Sequence, residues 1–282
     1  MTSPATQPAI GSGESSRGSL RYCRWIDTND VFQPFRLDDR VAIVTGASSG
    51  LGERFARVLH AAGATVVVSA RRAERLDALA ADLGDRVHPV VADVGVDADC
   101  ARLVDAATSF GGRLDILVNN AGIGAPGPAE AEPIDTFRNV VDVNLNAVFL
   151  LSQLAFEPLR ASGHGSIVNV ASILGLVAST PIKQASYCAS KGAVVNLTRE
   201  LGCQWARKGI RVNALAPGWF PSEMTADMWG DDGTVAFINS NTPLGRNGLE
   251  HELDGALLFL ASDASSFMVG HTLVVDGGWS AR

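Results

Sequence analysis

From about Asp39 onward the chain alternates short β-branched runs with longer stretches of periodic Ala, Leu and Val, and that alternation leaves few architectures open. The runs are Val41–Thr45, Thr65–Ser69, Val87–Val91, Ile116–Asn119, Ser166–Val170, Arg211–Ala214 and Thr272–Val275. Most are nearly continuously apolar, the pattern of a strand buried on both faces. Strands of that kind separated by helices make an α/β fold, in which a parallel sheet carries helices on both sides. No internal repeat at solenoid spacing is present.

Six or seven such strands predict a doubly wound Rossmann fold in a single domain. With 282 residues, 46% of them hydrophobic, the chain can bury one large core. Residues 37–282 are assigned to a Rossmann catalytic domain and residues 1–36 to an N-terminal extension. The first twenty or so residues are rich in Ser, Gly, Pro and Thr, so nothing apolar offsets their ordering entropy and disorder is expected there. Between Arg21 and Leu37, the side chains of Tyr22, Trp25, Val31, Phe32 and Phe35 offer enough apolar surface to pack on the domain or a neighbouring subunit.

The balance of 23 Lys+Arg against 30 Asp+Glu gives a net charge of −7, which argues against nucleic acid or an acidic membrane as partner and points to a small molecule. Cys23, Cys100, Cys188 and Cys203 are scattered, with no C-x-x-C pair, so no metal site and no disulfide framework is expected. That usage implies a reducing, cytoplasmic setting. No run approaches the roughly 20 apolar residues that span a bilayer, and residues 1–20 lack the apolar core of a secretory signal.

Between the first strand and its helix lies Thr45-Gly46-Ala47-Ser48-Ser49-Gly50-Leu51-Gly52. Gly46 allows a tight turn, Gly50 lets backbone approach a pyrophosphate, and Gly52 permits close helix–strand packing. The helix start adds free N–H groups and a positive dipole. At the end of the second strand, where a carboxylate would bind the 2′-OH of NAD, the chain has Ser69-Ala70-Arg71-Arg72. Ala70 is uncharged, and Arg71 or Arg72 can bond a 2′-phosphate, so NADP is favoured over NAD. Asp93-Val94 after the third strand is placed for the adenine amino group or for capping the next helix. Asn119-Asn120-Ala121-Gly122 after the fourth can tie strand ends together, and Ala121 with Gly122 leaves room for a ribose.

In Ser186-Tyr187-Cys188-Ala189-Ser190-Lys191, near a helix start, Tyr187 and Lys191 share one face at i, i+4 spacing. Lowering a phenol pKa from about 10 by about 2 to 3 units takes about 3 to 4 kcal/mol. An ammonium about 4 Å away supplies that order of energy at an effective dielectric of about 20. Ser172, closing the fifth strand, falls on the same carboxyl edge and can hydrogen-bond a substrate oxygen. Asn144 sits in a long apolar helix, where a buried amide needs a purpose; anchoring a water that relays protons to Lys191 is one.

With those residues in order, the segment from Leu37 to Ser280 resembles the compact, single-domain branch of the short-chain dehydrogenase/reductase family. The motifs are T-G-A-S-S-G-L-G at Thr45–Gly52, N-N-A-G at Asn119–Gly122, Asn144, Ser172, Y-C-A-S-K at Tyr187–Lys191, and Pro217-Gly218. The resemblance implies seven parallel strands and a homotetramer, or a homodimer, packed through the Asn144 and Tyr187 helices. It implies Tyr187 as general acid/base and Lys191 as the residue that binds the nicotinamide ribose and lowers the phenol pKa. Ser172 then orients the carbonyl and Asn144 supports the proton relay. Two departures stand out. Ser172 precedes Tyr187 by fifteen residues, a couple more than is common, which predicts an enlarged loop through Pro181 and Lys183. After Pro217-Gly218 the family often has a threonine on the nicotinamide carboxamide; here Trp219-Phe220-Pro221-Ser222 leaves Ser222 to replace it.

The expected pocket walls, Ile123–Pro126, Leu174–Ile182 and Trp219–Trp229, are mostly apolar. The chain end is similar to both 3-oxoacyl-carrier-protein reductases and sugar-acid or polyol dehydrogenases. The leading expectation is an NADP-dependent oxidoreductase of a ketone or 3-oxoacyl group; the alternative is an NAD-linked dehydrogenase of a sugar acid, polyol or other secondary alcohol. A dinucleotide-sensing protein without catalysis is a third, and it predicts a broken Tyr or Lys.

Overall fold

Each of the seven apolar runs becomes a strand, because β-branched side chains fill both faces of one sheet. The computed structural model describes residues 30–179 and 181–281. Its strands are β1 (Val41–Thr45), β2 (Thr65–Ala70), β3 (Val87–Val91), β4 (Ile116–Asn119), β5 (Gly165–Val170), β6 (Ile210–Pro217) and β7 (Thr272–Val275). They pair in the order β3-β2-β1-β4-β5-β6-β7, parallel throughout. Strand β6 is longer than its sequence run because it is paired on both sides up to Val170↔Leu215 and Pro217↔Val275. Proline at its last position forfeits little ladder bonding.

The helices are α1 (Gly50–Ala61), α2 (Ala73–Leu83), α3 (Asp97–Gly111), α4 (Ile134–Val141), α5 (Ala147–Leu154), α6 (Phe156–Ser162), α7 (Ala185–Trp205), α8 (Ala226–Trp229), α9 (Asp232–Asn241) and α10 (Asp254–Ala261). One face of the sheet packs Phe55 and Leu59 of α1 with Leu257 and Leu260 of α10. The other packs Leu103 of α3, Leu151 of α5, and Leu201 and Trp205 of α7. Strand order reverses between β1 and β4; Ala42 of β1 pairs with Val66 of β2 on one side and Ile116 of β4 on the other. Ligands of such sheets bind at the carboxyl ends beside that reversal.

The long helix expected around Asn144 is not regular. Between α4 and α5 the turn Asp142–Asn146 is π-helical, and Asn144 is fully buried in it. Cys100, Cys188 and Cys203 are free thiols. Among the described residues no group of three or more His, Cys, Asp or Glu could hold a metal, and no single helix is long and apolar enough to cross a membrane. The disorder expected of the first residues, and the packing expected of Tyr22 and Trp25 and the thiol of Cys23, lie outside the described residues.

Candidate active site

The glycine-rich turn is held by its neighbours. Gly46 has φ +68°, and a Cβ there would lie 2.9 Å from Ala121 Cα. A Cβ on Gly52 would come within 2.2 Å of the Gly46 carbonyl oxygen, so helix α1 can approach the turn only without a side chain there. Gly50, with φ +53°, borders space toward Ser222. Asn120 clamps the turn: its Nδ2 donates to Thr45 O at 2.9 Å, and Thr45 Oγ1 accepts from the Asn120 and Ala121 N–H groups at 3.0 Å each. Asn119 ties β4 to β5 by donating from Nδ2 to Asn169 Oδ1 at 2.9 Å.

The N–H groups that open α1 at Gly50, Leu51 and Gly52 lie in its first turn, where a helix has no internal acceptors to offer them. Arg72 reaches this corner, with Nη2 donating to Ser48 Oγ at 2.8 Å and Ser49 Oγ at 2.9 Å. Arg71 is exposed and bonds none of the described residues. Backbone N–H groups, two hydroxyls and guanidinium thus make a corner that can take phosphate.

Asp93 is engaged locally: its Oδ1 accepts from Gly95 N at 2.9 Å, shaping the turn before α3, while Val94 O accepts from Cys100 Sγ. Gly218, after β6, packs so tightly that a Cβ would sit 2.7 Å from Asp276 Cα; its N–H donates to Val275 O at 2.9 Å.

Tyr187 lies in the first turn of α7 and Lys191 one turn on. Ser172 ends β5 in extended conformation, and its Oγ accepts from Leu174 N at 3.1 Å, so it caps the turn Ile173–Gly175. Burial pushes the Tyr187 phenol above its usual pKa, and a hydrogen bond with Ser172 opposes that shift. Lys191 is only 4% exposed, and desolvation pulls its ammonium down to about 8. Its Nζ donates to Val170 O at 2.7 Å and stands 5.7 Å from the Tyr187 ring centroid. The ammonium thus rests on the carbonyl that ends β5, one helical turn from the phenol.

Asn144 is held by three hydrogen bonds to protein. Its Nδ2 donates to Ile123 O at 2.9 Å and to Ser190 Oγ at 3.1 Å, while its Oδ1 accepts from Ile123 N at 2.8 Å. Ser190 Oγ in turn donates to Tyr187 O at 2.8 Å. A Cβ on Gly122 would stand 3.2 Å from Asn144 Oδ1 and 3.5 Å from Lys191 Nζ, so both border the space that Gly122 keeps open.

Two of the three expected wall segments meet around Tyr187. Ile173, Leu174 and Trp219 are buried together, with Val177, Ile182, Cys188 and Trp229 against them. The loop before Tyr187 is stitched to the third, with Gly127 N donating to Lys183 O at 2.9 Å. Sequence reasoning missed Phe237 and Ile238 of α9, which pack with Trp279 behind Trp219. It also missed Thr225, whose Oγ1 accepts from Ser222 N and Trp229 Nε1 at 2.9 Å each and orders the segment after β6. Ser222 is thereby drawn into a cap for the turn Glu223–Thr225.

A doubly wound sheet with a phosphate corner at its reversal and a Ser, Tyr and Lys set on the same edge defines a dinucleotide-dependent oxidoreductase. The chain belongs to the short-chain dehydrogenase/reductase family. A family model described as enoyl-(acyl carrier protein) reductase matches residues 46–280. Galactitol 2-dehydrogenase (L-tagatose-forming) of Cereibacter sphaeroides is 41% identical over 247 residues, 87% of this chain and 97% of that protein. The 3-oxoacyl-[acyl-carrier-protein] reductase FabG of Rickettsia bellii is 39% identical, covering 86% and 97%. A gluconate 5-dehydrogenase from Burkholderia cenocepacia J2315, solved in complex with NADP and tartrate, superposes with a TM-score of 0.85 at 39% identity, covering 90% of this chain and 100% of that one.

Proposed function

We propose that this chain interconverts a ketone or 3-oxoacyl group and the secondary alcohol with NADP as its cofactor, with Tyr187 as general acid/base. The observation that carries this reading is the placement of Tyr187 and Lys191 one turn apart on α7 beside the end of β5, where Ser172 lies, with Lys191 Nζ 5.7 Å from the Tyr187 ring centroid. Bound dinucleotide supplies the hydride. Ser172 donates to the substrate carbonyl oxygen, and Tyr187 passes its proton to that oxygen as the alcohol forms. Lys191, at about 8, lies close enough to neutrality to exchange a proton with solvent as well as to hold a ribose hydroxyl. Asn144 keeps α4, the Ile123 backbone and Ser190 in register beside it and so supports the relay.

For the cofactor, Gly46, Ser48, Ser49, Gly50, Leu51 and Gly52 cradle the pyrophosphate. Arg71 and Arg72 take the 2′-phosphate, and Asp93 with Val94 flanks the adenine. Asn120, Ala121 and Gly122 border the ribose, while Pro217, Gly218 and Ser222 meet the nicotinamide. The similar protein solved with NADP supports the phosphate-bearing form. The apolar walls support a ketone flanked by hydrocarbon. An NAD-linked dehydrogenase of a sugar acid or polyol is the second reading, supported by similarity to galactitol 2-dehydrogenase. We place the protein in the cytoplasm as a homotetramer or homodimer packed through the helices of Asn144 and Tyr187; Phe149 of α5, 43% exposed, supports a covered face there. Turnover of a ketone and alcohol panel with NADPH and NADH, followed at the nicotinamide band, tests both readings. NADPH is expected to give the higher kcat/KM, and a clear NADH preference overturns the assignment of Arg71 and Arg72.

A further inference from the structure

The phosphate corner already holds an anion, and it belongs to the chain. Glu223 opens the turn Glu223–Thr225 after β6, and its Oε1 and Oε2 lie 3.2 Å and 2.8 Å from Nη1 and Nη2 of Arg72. Arg75 Nη1 approaches the same carboxylate at 2.9 Å. The segment that carries Glu223 lies directly on the glycine-rich turn, since a Cβ on Gly50 would stand 3.3 Å from Ser222 Cβ. A hydrogen bond with Ser49 and the two guanidinium groups hold the Glu223 carboxyl near 2, so it is ionised throughout the working range. The side chains of Arg72, Arg75 and Glu223 are 42%, 54% and 47% exposed, so an ion arriving from solvent can exchange with the carboxylate.

We propose that Glu223 is an internal stand-in for the cofactor's 2′-phosphate, seated on Arg72 and Arg75 until a dinucleotide displaces it, and that this competition holds the preference for phosphate-bearing cofactor below what the two arginines alone would give. The proposal rests on the NADP reading above. A phosphate carries up to twice the charge of a carboxylate and offers three acceptor oxygens, so it competes well for two guanidinium groups. A 2′-hydroxyl is uncharged and cannot displace Glu223. Loading with NADP thus releases the segment after β6 from the glycine-rich turn, whereas NAD leaves the ion pairs closed.

The test is equilibrium binding to the unloaded protein, by calorimetry, of 2′,5′-ADP and 5′-AMP, which differ only in the 2′-phosphate. Glu223→Gln keeps the shape and removes the competing charge. The Kd for 2′,5′-ADP should fall about fivefold, the scale of an exposed ion pair. The Kd for 5′-AMP should hold within about twofold, and NADPH should follow 2′,5′-ADP. An unchanged Kd for 2′,5′-ADP overturns the proposal. So does a weaker one, which makes Glu223 a brace that holds the arginines ready rather than a competitor. Failure of the NADP reading shows separately, as wild-type protein that binds 2′,5′-ADP no more tightly than 5′-AMP.

Discussion

Lys191 and Arg72 both stand at the carboxyl edge of the sheet, one against the end of β5 and one after β2, yet the fold treats their charges in opposite ways. Lys191 is buried with a single backbone carbonyl as partner, and its ammonium is destabilised to about 8. Arg72 is half-exposed against Glu223, and there the ion pair dominates: the Arg72 pKa rises and the Glu223 carboxyl falls to about 2. Burial tunes a group toward proton exchange near neutrality, whereas exposure with a counter-charge fixes a group in its ionised form. On the proposed function, the inner end serves chemistry and the outer end recognition.

The largest effect should come from separating those ends. Tyr187→Phe removes the proton donor and leaves the phosphate corner untouched, so turnover should drop about 10³-fold with the dinucleotide Kd unchanged. Parallel loss of binding and turnover would mean that the two ends are not separable. Gly52→Ala strikes the outer end. Its Cβ meets a carbonyl oxygen at 2.2 Å, so the turn must shift, costing about 3 kcal/mol in a denaturant melt and weakening dinucleotide binding.

The smallest effect, opposite in sign, belongs to Lys191→Met. Holding the ammonium at about 8 against 10.5 costs the fold about 3 kcal/mol at neutral pH. Loss of the bond to Val170 O returns about 1 to 2 kcal/mol of that, so the inactive variant should melt a few degrees higher. The sign with pH follows from proton binding. Between about 8 and 10.5 the unfolded lysine still holds the proton that the folded one has lost, so wild-type stability gains on the variant as pH rises through that window. A gap that stays constant from pH 7 to 10 would refute the desolvated lysine.

The sheet was legible because strands buried on both faces leave nearly unbroken apolar runs, and the cradle because Gly46 and Gly52 answer to local backbone demands. Tyr187 and Lys191 were legible as a helical pair, but the direction of the ammonium was not, since Val170 meets it from the end of strand β5. The partner of Arg72 was equally hidden: Glu223 is 151 positions away, and an acidic residue after a strand signals nothing by itself. Thr225 and Phe237 escaped for the same reason, because their roles exist only once the segment after β6 folds back on α7.

The π-helical turn at Asp142–Asn146 has the form of a one-residue insertion in an otherwise regular helix. An added residue rotates everything after it by about 100°. Deleting one residue there would let α4 and α5 merge into a straight rod, but Asn144 and Phe149 could no longer keep their present headings together. The amide inside and the aromatic outside are thus phased by that single step, and a lineage that lost it would have to choose between them.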